Sequence, residues 1–106
     1  MGYKKVYDGW KADPDGFWME AARAIDWDTA PSKALFDKGN GLFEWFADGM
    51  VNTCWNAVDR HVDAGRGDQV AIIYDSPITG RQSKITYAEL KTRVSQFAGG
   101  LAARGI

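Results

Sequence analysis

Histidine and cysteine are almost missing from this chain: His61 and Cys54 are the sole examples among 106 residues. A lone Cys cannot close an internal disulfide, and one His with one Cys falls short of the three or four ligands of a zinc site. A disulfide scaffold and a zinc module are both excluded. Charge of either sign is also missing in excess. Thirteen Lys and Arg against fourteen Asp and Glu leave a formal charge of -1, so no basic field is available to neutralise phosphates, and nucleic acid is not an expected partner. No apolar run approaches the ~18 residues of a membrane-spanning helix. The first residues lack the basic-then-apolar run of a secretory signal. The expected setting is therefore cytoplasmic, with no membrane partner.

What is present is an ordinary globular composition, 45% hydrophobic and 25% charged, at a length of about one small domain. Five Trp, five Phe and four Tyr are a heavy aromatic load for so short a chain. Such surface needs burial, and a small domain has little interior to provide it.

Asp13-Pro14-Asp15 reads as a helix start, with Asp13 capping free N–H groups, Pro14 at the first helical position and Asp15 complementing the dipole. The spacing of Phe17, Trp18, Ala21, Ala22 and Ile25 predicts a helix running to about Trp27. From Asp28 to Asn40 the period breaks, and an extended surface segment is expected. Leu42 to Phe46 is a short aromatic run compatible with one strand. Trp55, Val58 and Val62 predict a second helix from Asn52 to about Ala64, terminated by Gly65 and Gly67.

The period then changes. Val70 to Ile73 is a buried-strand run, and the loop Ser76-Pro77-Ile78-Thr79-Gly80 joins it to Arg81–Ile85 in a β-hairpin. Thr86-Tyr87-Ala88-Glu89 is a capping box. The seam Tyr87, Leu90, Val94, Phe97 and Leu101 predicts a third helix that Gly105 ends. The fold class is α+β, a helical N-terminal extension followed by a β-hairpin and an amphipathic helix. With one hairpin and no closing strand before Ile106, the sequence reads as a truncation, and such a fragment is expected to self-associate through the hairpin or the third helix.

Cys54, Asn56, Asp59, Arg60 and His61 form the one cluster of reactive residue types. A Cys–His nucleophile needs the two side chains within hydrogen-bond reach. Seven residues apart on a helix, they stand about 10 Å apart along its axis. Cys54 therefore reads as a small core residue and His61 as a hydrogen-bonded helix histidine. Lys38-Gly39-Asn40-Gly41 lacks the order and the strand-to-helix setting of a phosphate loop. Gly65-Arg66-Gly67 follows a helix and precedes a strand, the reverse of a dinucleotide fingerprint, and reads as a helix-ending turn. Arg66-Gly67-Asp68 spells an adhesion tripeptide by accident. Residue chemistry alone yields no catalytic, cofactor-binding or metal site.

Five runs resemble the N-terminal part of the acetyl-CoA and propionyl-CoA synthetases, the short-chain branch of the adenylate-forming acyl-CoA synthetases. They are Asp13-Pro14-Asp15-Gly16-Phe17-Trp18; Ala24-Ile25-Asp26-Trp27; Asn52 through His61, with its Asn56-x-x-Asp59-Arg60-His61 element; Ala71 through Pro77; and Ile85 through Leu90 continuing to Phe97-Ala98. The wording around Cys54 and in Asp75–Gly80 is closer to the propionyl-CoA synthetases. The resemblance implies two domains, residues 1–66 being the family's N-terminal domain and 67–106 the start of a larger α/β AMP-binding domain. It implies a parent that joins a carboxylate to CoA through an acyl-adenylate, releasing AMP and pyrophosphate and using ATP, Mg and CoA.

The family's phosphate-binding loop, adenylation motif, acyl pocket and C-terminal lysine all belong to later sequence. No cofactor and no catalytic residue is therefore expected in these 106 residues, and the partner implied is the remainder of the same enzyme. Asp59, Arg60 and His61 become structural, Asp59 and Arg60 pairing with neighbouring segments of that body. On the same reading Trp10, Trp18, Trp27, Trp45 and Trp55 are expected to wrap the extension over it. The competing reading is an autonomous interaction module with no enzymatic parent, which accounts for the aromatic excess but for none of the ordered matches.

Overall fold

A computed structural model describes residues 2–106. The fold is α+β, as expected, and divides into two compact units, residues 2–52 and Thr53–Ile106.

The first unit opens with α1 (Tyr3–Ala12), held by local contacts. Lys4 pairs with Asp8 one turn on, Tyr3 stacks on Tyr7 at 5.8 Å, and Trp10 follows at 5.7 Å. Asp13 ends α1 and caps α2 (Pro14–Ala22), accepting from the Gly16 N–H at 3.0 Å. Helix α2 stops five residues short of the expected Trp27. The reason is visible at its end, where Trp27 donates its indole N–H to the Ala22 carbonyl at 2.9 Å and the intervening residues make a tighter turn.

The segment expected to be merely extended contains strand β1 (Leu35–Gly39), paired antiparallel with β2 (Leu42–Trp45). Their turn places Gly39, Asn40 and Gly41 all at positive φ, a region that glycine enters freely and Asn tolerates. Side chains then fasten the loops. Asp15 accepts from the Ala34 N–H at 2.8 Å and Asp48 from the Ser32 N–H at 3.1 Å, while Thr29 bridges Met50.

The second unit begins with a helical stretch whose turns are widened at Trp55–Asp59 and Val62–Arg66. The Arg60 N–H reaches back five residues to the Trp55 carbonyl, so the regular helix expected over 52–64 is a pair of π-turns. Gly65, at φ 78°, breaks the stretch. Strands β3 (Val70–Ser76) and β4 (Arg81–Thr86) form the expected hairpin, with Ile73 opposite Lys84 and Ser76 opposite Arg81. Helix α3 (Tyr87–Ala102) follows directly through a complete Thr86–Glu89 capping box.

Burial departs from expectation. Among the described residues the buried apolar ones are Ala22, Ala34 and Val58, whereas Val70, Ile72 and Ile73 of the strand expected to be buried are exposed. A two-stranded ribbon lacks the neighbours that would cover both its faces.

Candidate functional site

The reactive cluster of the sequence lies along the widened turns of the second unit. Cys54 is exposed, not part of the core. Its sulfur stands 3.9 Å from an Asp59 carboxylate oxygen. The imidazole expected to be remote from it is engaged elsewhere. His61 Nδ1 meets the Arg66 guanidinium, and its ring lies against Tyr87 with centroids 4.8 Å apart. A guanidinium can only donate, so this contact favours the neutral ring with Nδ1 as acceptor. Partial withdrawal from water, then the positive charges of Arg66 and Arg60, push the imidazole below its ordinary value near 6.5. A thiol beside a carboxylate and a histidine committed to an arginine make no nucleophile–base pair.

The remaining members brace the fold. Arg60 donates to the Asn56 side-chain oxygen at 3.0 Å, one turn apart. Asp59 finds a cation within the chain at Lys91, 3.6 Å away, where the resemblance implied pairing with sequence outside it. Lys91 also meets Asp63 at 3.1 Å, and this hydrogen bond leads the effects that raise its pKa. Lys91 is thus the cation that ties α3 to both π-turns. The signal for it lies in Asp59 and Asp63, two carboxylates one helical turn apart that call for a facing cation. Helix periodicity marks Lys91 only as lying off the apolar seam.

The glycine-bearing runs are turns. Lys38 pairs with Glu44 across the β1–β2 hairpin at 2.9 Å, and the Gly39 N–H donates to Asp37 at 2.7 Å, so neither is presented to a phosphate. Gly67 accepts from the Ala88 N–H at 3.0 Å, anchoring the turn to the start of α3. Among the described residues no three His, Cys, Asp or Glu side chains gather as a metal ion requires. The glycine-bearing turn and the described acidic residues thus form no site fitted to ATP phosphates or Mg.

Of the five tryptophans, Trp10, Trp18 and Trp45 come together, lining an apolar groove of about 560 Å³ with Pro14, Asp15 and Leu35. Trp27 packs on Phe46 at 5.5 Å. Trp55 belongs to the second unit.

Comparison with known proteins decides the family. The profile described as "Acetyl-coenzyme A synthetase N-terminus" matches residues 3–57. The chain belongs to this family. It is 44% identical over 104 residues, 98% of its length, to acyl-CoA synthetase short-chain family member 3, mitochondrial, of Homo sapiens. It is likewise 44% identical over 102 residues, 96% of its length, to acetyl-coenzyme A synthetase of Streptomyces avermitilis. The chain spans 15% of the first of these relatives and 16% of the second. Among the described residues no helix is long and apolar enough to cross a membrane.

Proposed function

We propose that this chain is the non-catalytic N-terminal segment of an ATP-dependent short-chain acyl-CoA ligase. The observation that carries the reading is its collinear 44% identity to synthetases of both names across nearly its whole length. In the parent, a carboxylate attacks the α-phosphate of ATP, the α–β anhydride bond breaks to release pyrophosphate and leave an acyl-adenylate, and the CoA thiol then displaces AMP to give the acyl-CoA. Catalysis of such a step rests on positioning and on stabilisation of phosphate charge. The reactive residue types of these 106 residues are instead tied to one another, Cys54 to Asp59, His61 to Arg66 and Lys91 to Asp59 and Asp63.

Within that parent residues 1–66 are the N-terminal domain, an assignment supported by the match over 3–57, and 67–106 open the AMP-binding domain. The substrate is propionate or acetate, with propionate favoured by the wording around Cys54. The partner is the rest of the same enzyme. The compartment is cytoplasmic, a reducing setting consistent with an exposed single thiol. Imaging of the tagged full-length protein separates this from the mitochondrial location in the human relative's name.

Carboxylate-dependent ATP–pyrophosphate exchange tests the reading. The full-length protein is expected to show it with propionate and acetate and the 106-residue chain to show none. Exchange by the short chain above a no-protein control would overturn its non-catalytic role. A full-length protein inactive on acetate, propionate and butyrate would overturn the ligase assignment. The coding frame after Ile106 gives an independent check, since a Ser/Thr/Gly-rich loop ending in Lys-Gly is expected there.

A further inference from the structure

The groove lined by Trp10, Trp18 and Trp45 is an apolar feature of the first unit with no described residue filling it. Trp18 and Trp45 meet at 5.6 Å with their planes 79° apart, two walls of a corner. They are 39% and 53% exposed, a large aromatic surface for a chain to leave in water. At the rim stands Asp15. One of its carboxylate oxygens accepts from the Ala34 and Leu35 N–H groups at 2.8 and 3.4 Å, which fixes the group in place. Among the described residues no Lys or Arg pairs with it. The surrounding unit is acidic as well, residues 2–52 carrying nine Asp and Glu against six Lys and Arg.

A negative charge fixed beside indole rings selects an occupant. Indole faces attract cations through their quadrupole, and the carboxylate adds a directed charge. A purely apolar occupant would cover the Asp15 charge with only backbone N–H groups on one of its oxygens to offset it, whereas a cation on an aliphatic stem matches rings and carboxylate together.

We propose that this groove seats an Arg or Lys side chain, flanked by apolar residues, from the later polypeptide of the same parent enzyme. The proposal rests on the reading of the chain as the N-terminal segment of a longer ligase and names the surface by which that segment is held. Asp15 supplies the charge, and Trp18 and Trp45 the aromatic walls.

Oxidative footprinting of tryptophan by mass spectrometry in the full-length protein tests it. In the wild type, Trp18 and Trp45 are expected to oxidise on the order of tenfold more slowly than in the unfolded protein. Asp15→Asn keeps an oxygen for the Ala34 N–H but removes the charge, and is expected to abolish most of that protection. High salt should weaken the wild-type protection and leave the variant unchanged. Leu42→Ala, on the other face of β2, should leave the pattern intact.

Three results overturn the proposal. Unprotected tryptophans in the folded wild type would mean an open groove. Protection equal in wild type and Asp15→Asn would mean an apolar cover without a cation. Protection that rises with protein concentration would mean a second copy. Pyrophosphate exchange on the same samples reports separately on the ligase reading, so a protein with no activity but charge-dependent protection would overturn that reading and not this one.

Discussion

His61 shows how one contact sets a pH dependence. Its folded-state pKa is depressed by withdrawal from water and by Arg66 and Arg60, so the folded chain prefers the neutral ring. As pH falls below about 6.5 the unfolded chain binds a proton that the folded chain still refuses. Stability from this group is therefore present above that pH and is lost as pH falls toward the folded value. Urea midpoints at pH 7.5 and 5.5 check the sign. The wild type is expected to lose more on acidification than His61→Gln, which keeps an acceptor for Arg66 without titrating; equal losses would mean that His61 is not the sensor. Lys91 has the opposite sense. Its pKa is raised first by the Asp63 hydrogen bond, so its contribution is complete below about 10.5 and is lost as pH rises through the folded value. Lys91→Gln should shift the unfolding midpoint less at pH 11.5 than at pH 8.

Local chemistry decides the elements as well. Thr86 accepts from the Glu89 N–H at 3.3 Å, and Glu89 accepts from the Thr86 N–H at 2.9 Å. Thr86→Ala removes the first bond and is expected to cost about 1 kcal/mol, read from denaturant midpoints. Gly65 sits at φ 78° with open space around it, so Gly65→Ala meets no clash and is expected to cost about 1 kcal/mol through the backbone alone.

Capping signals of this kind are why the start of α2, the β3–β4 hairpin and α3 are legible in the sequence. Where expectation failed, a longer-range partner decided. The end of α2 depends on Trp27 turning back to Ala22, a contact that a stripe of apolar residues does not encode. Strand β1 alternates poorly, and only the Asn40-Gly41 pair carries its hairpin signal. The widening of the second helix at Trp55–Asp59 follows no residue rule. In the candidate site, the grouping of Cys54, Asp59 and His61 on one helical stretch was readable from spacing, but the exposure of Cys54 and the contact of Lys91 with Asp59 and Asp63 were not.

On the scale of the whole molecule, aromatic and aliphatic surface outruns the interior available to it. Among the described residues the buried apolar side chains are two alanines and a valine, while Ile73 is 74% and Phe97 71% exposed. The β3–β4 sheet has only two strands, so each strand has an edge with N–H and C=O groups that no third strand pairs. Phe97 in the seam of α3 adds a second uncovered surface. A further copy can pair the edge or cover the seam, most simply across a two-fold axis in which each copy offers the same surface. The isolated 106-residue chain is therefore expected to self-associate. Sedimentation velocity at rising concentration should show a mass that increases into the high micromolar range. Ile73→Lys and Phe97→Asp address the two surfaces separately: the first places a charge on the ribbon, the second in the seam. Whichever variant returns the chain to a monomer identifies the contact. A wild-type chain that stays monomeric at the highest concentration would show that the edge and the seam are covered within one copy.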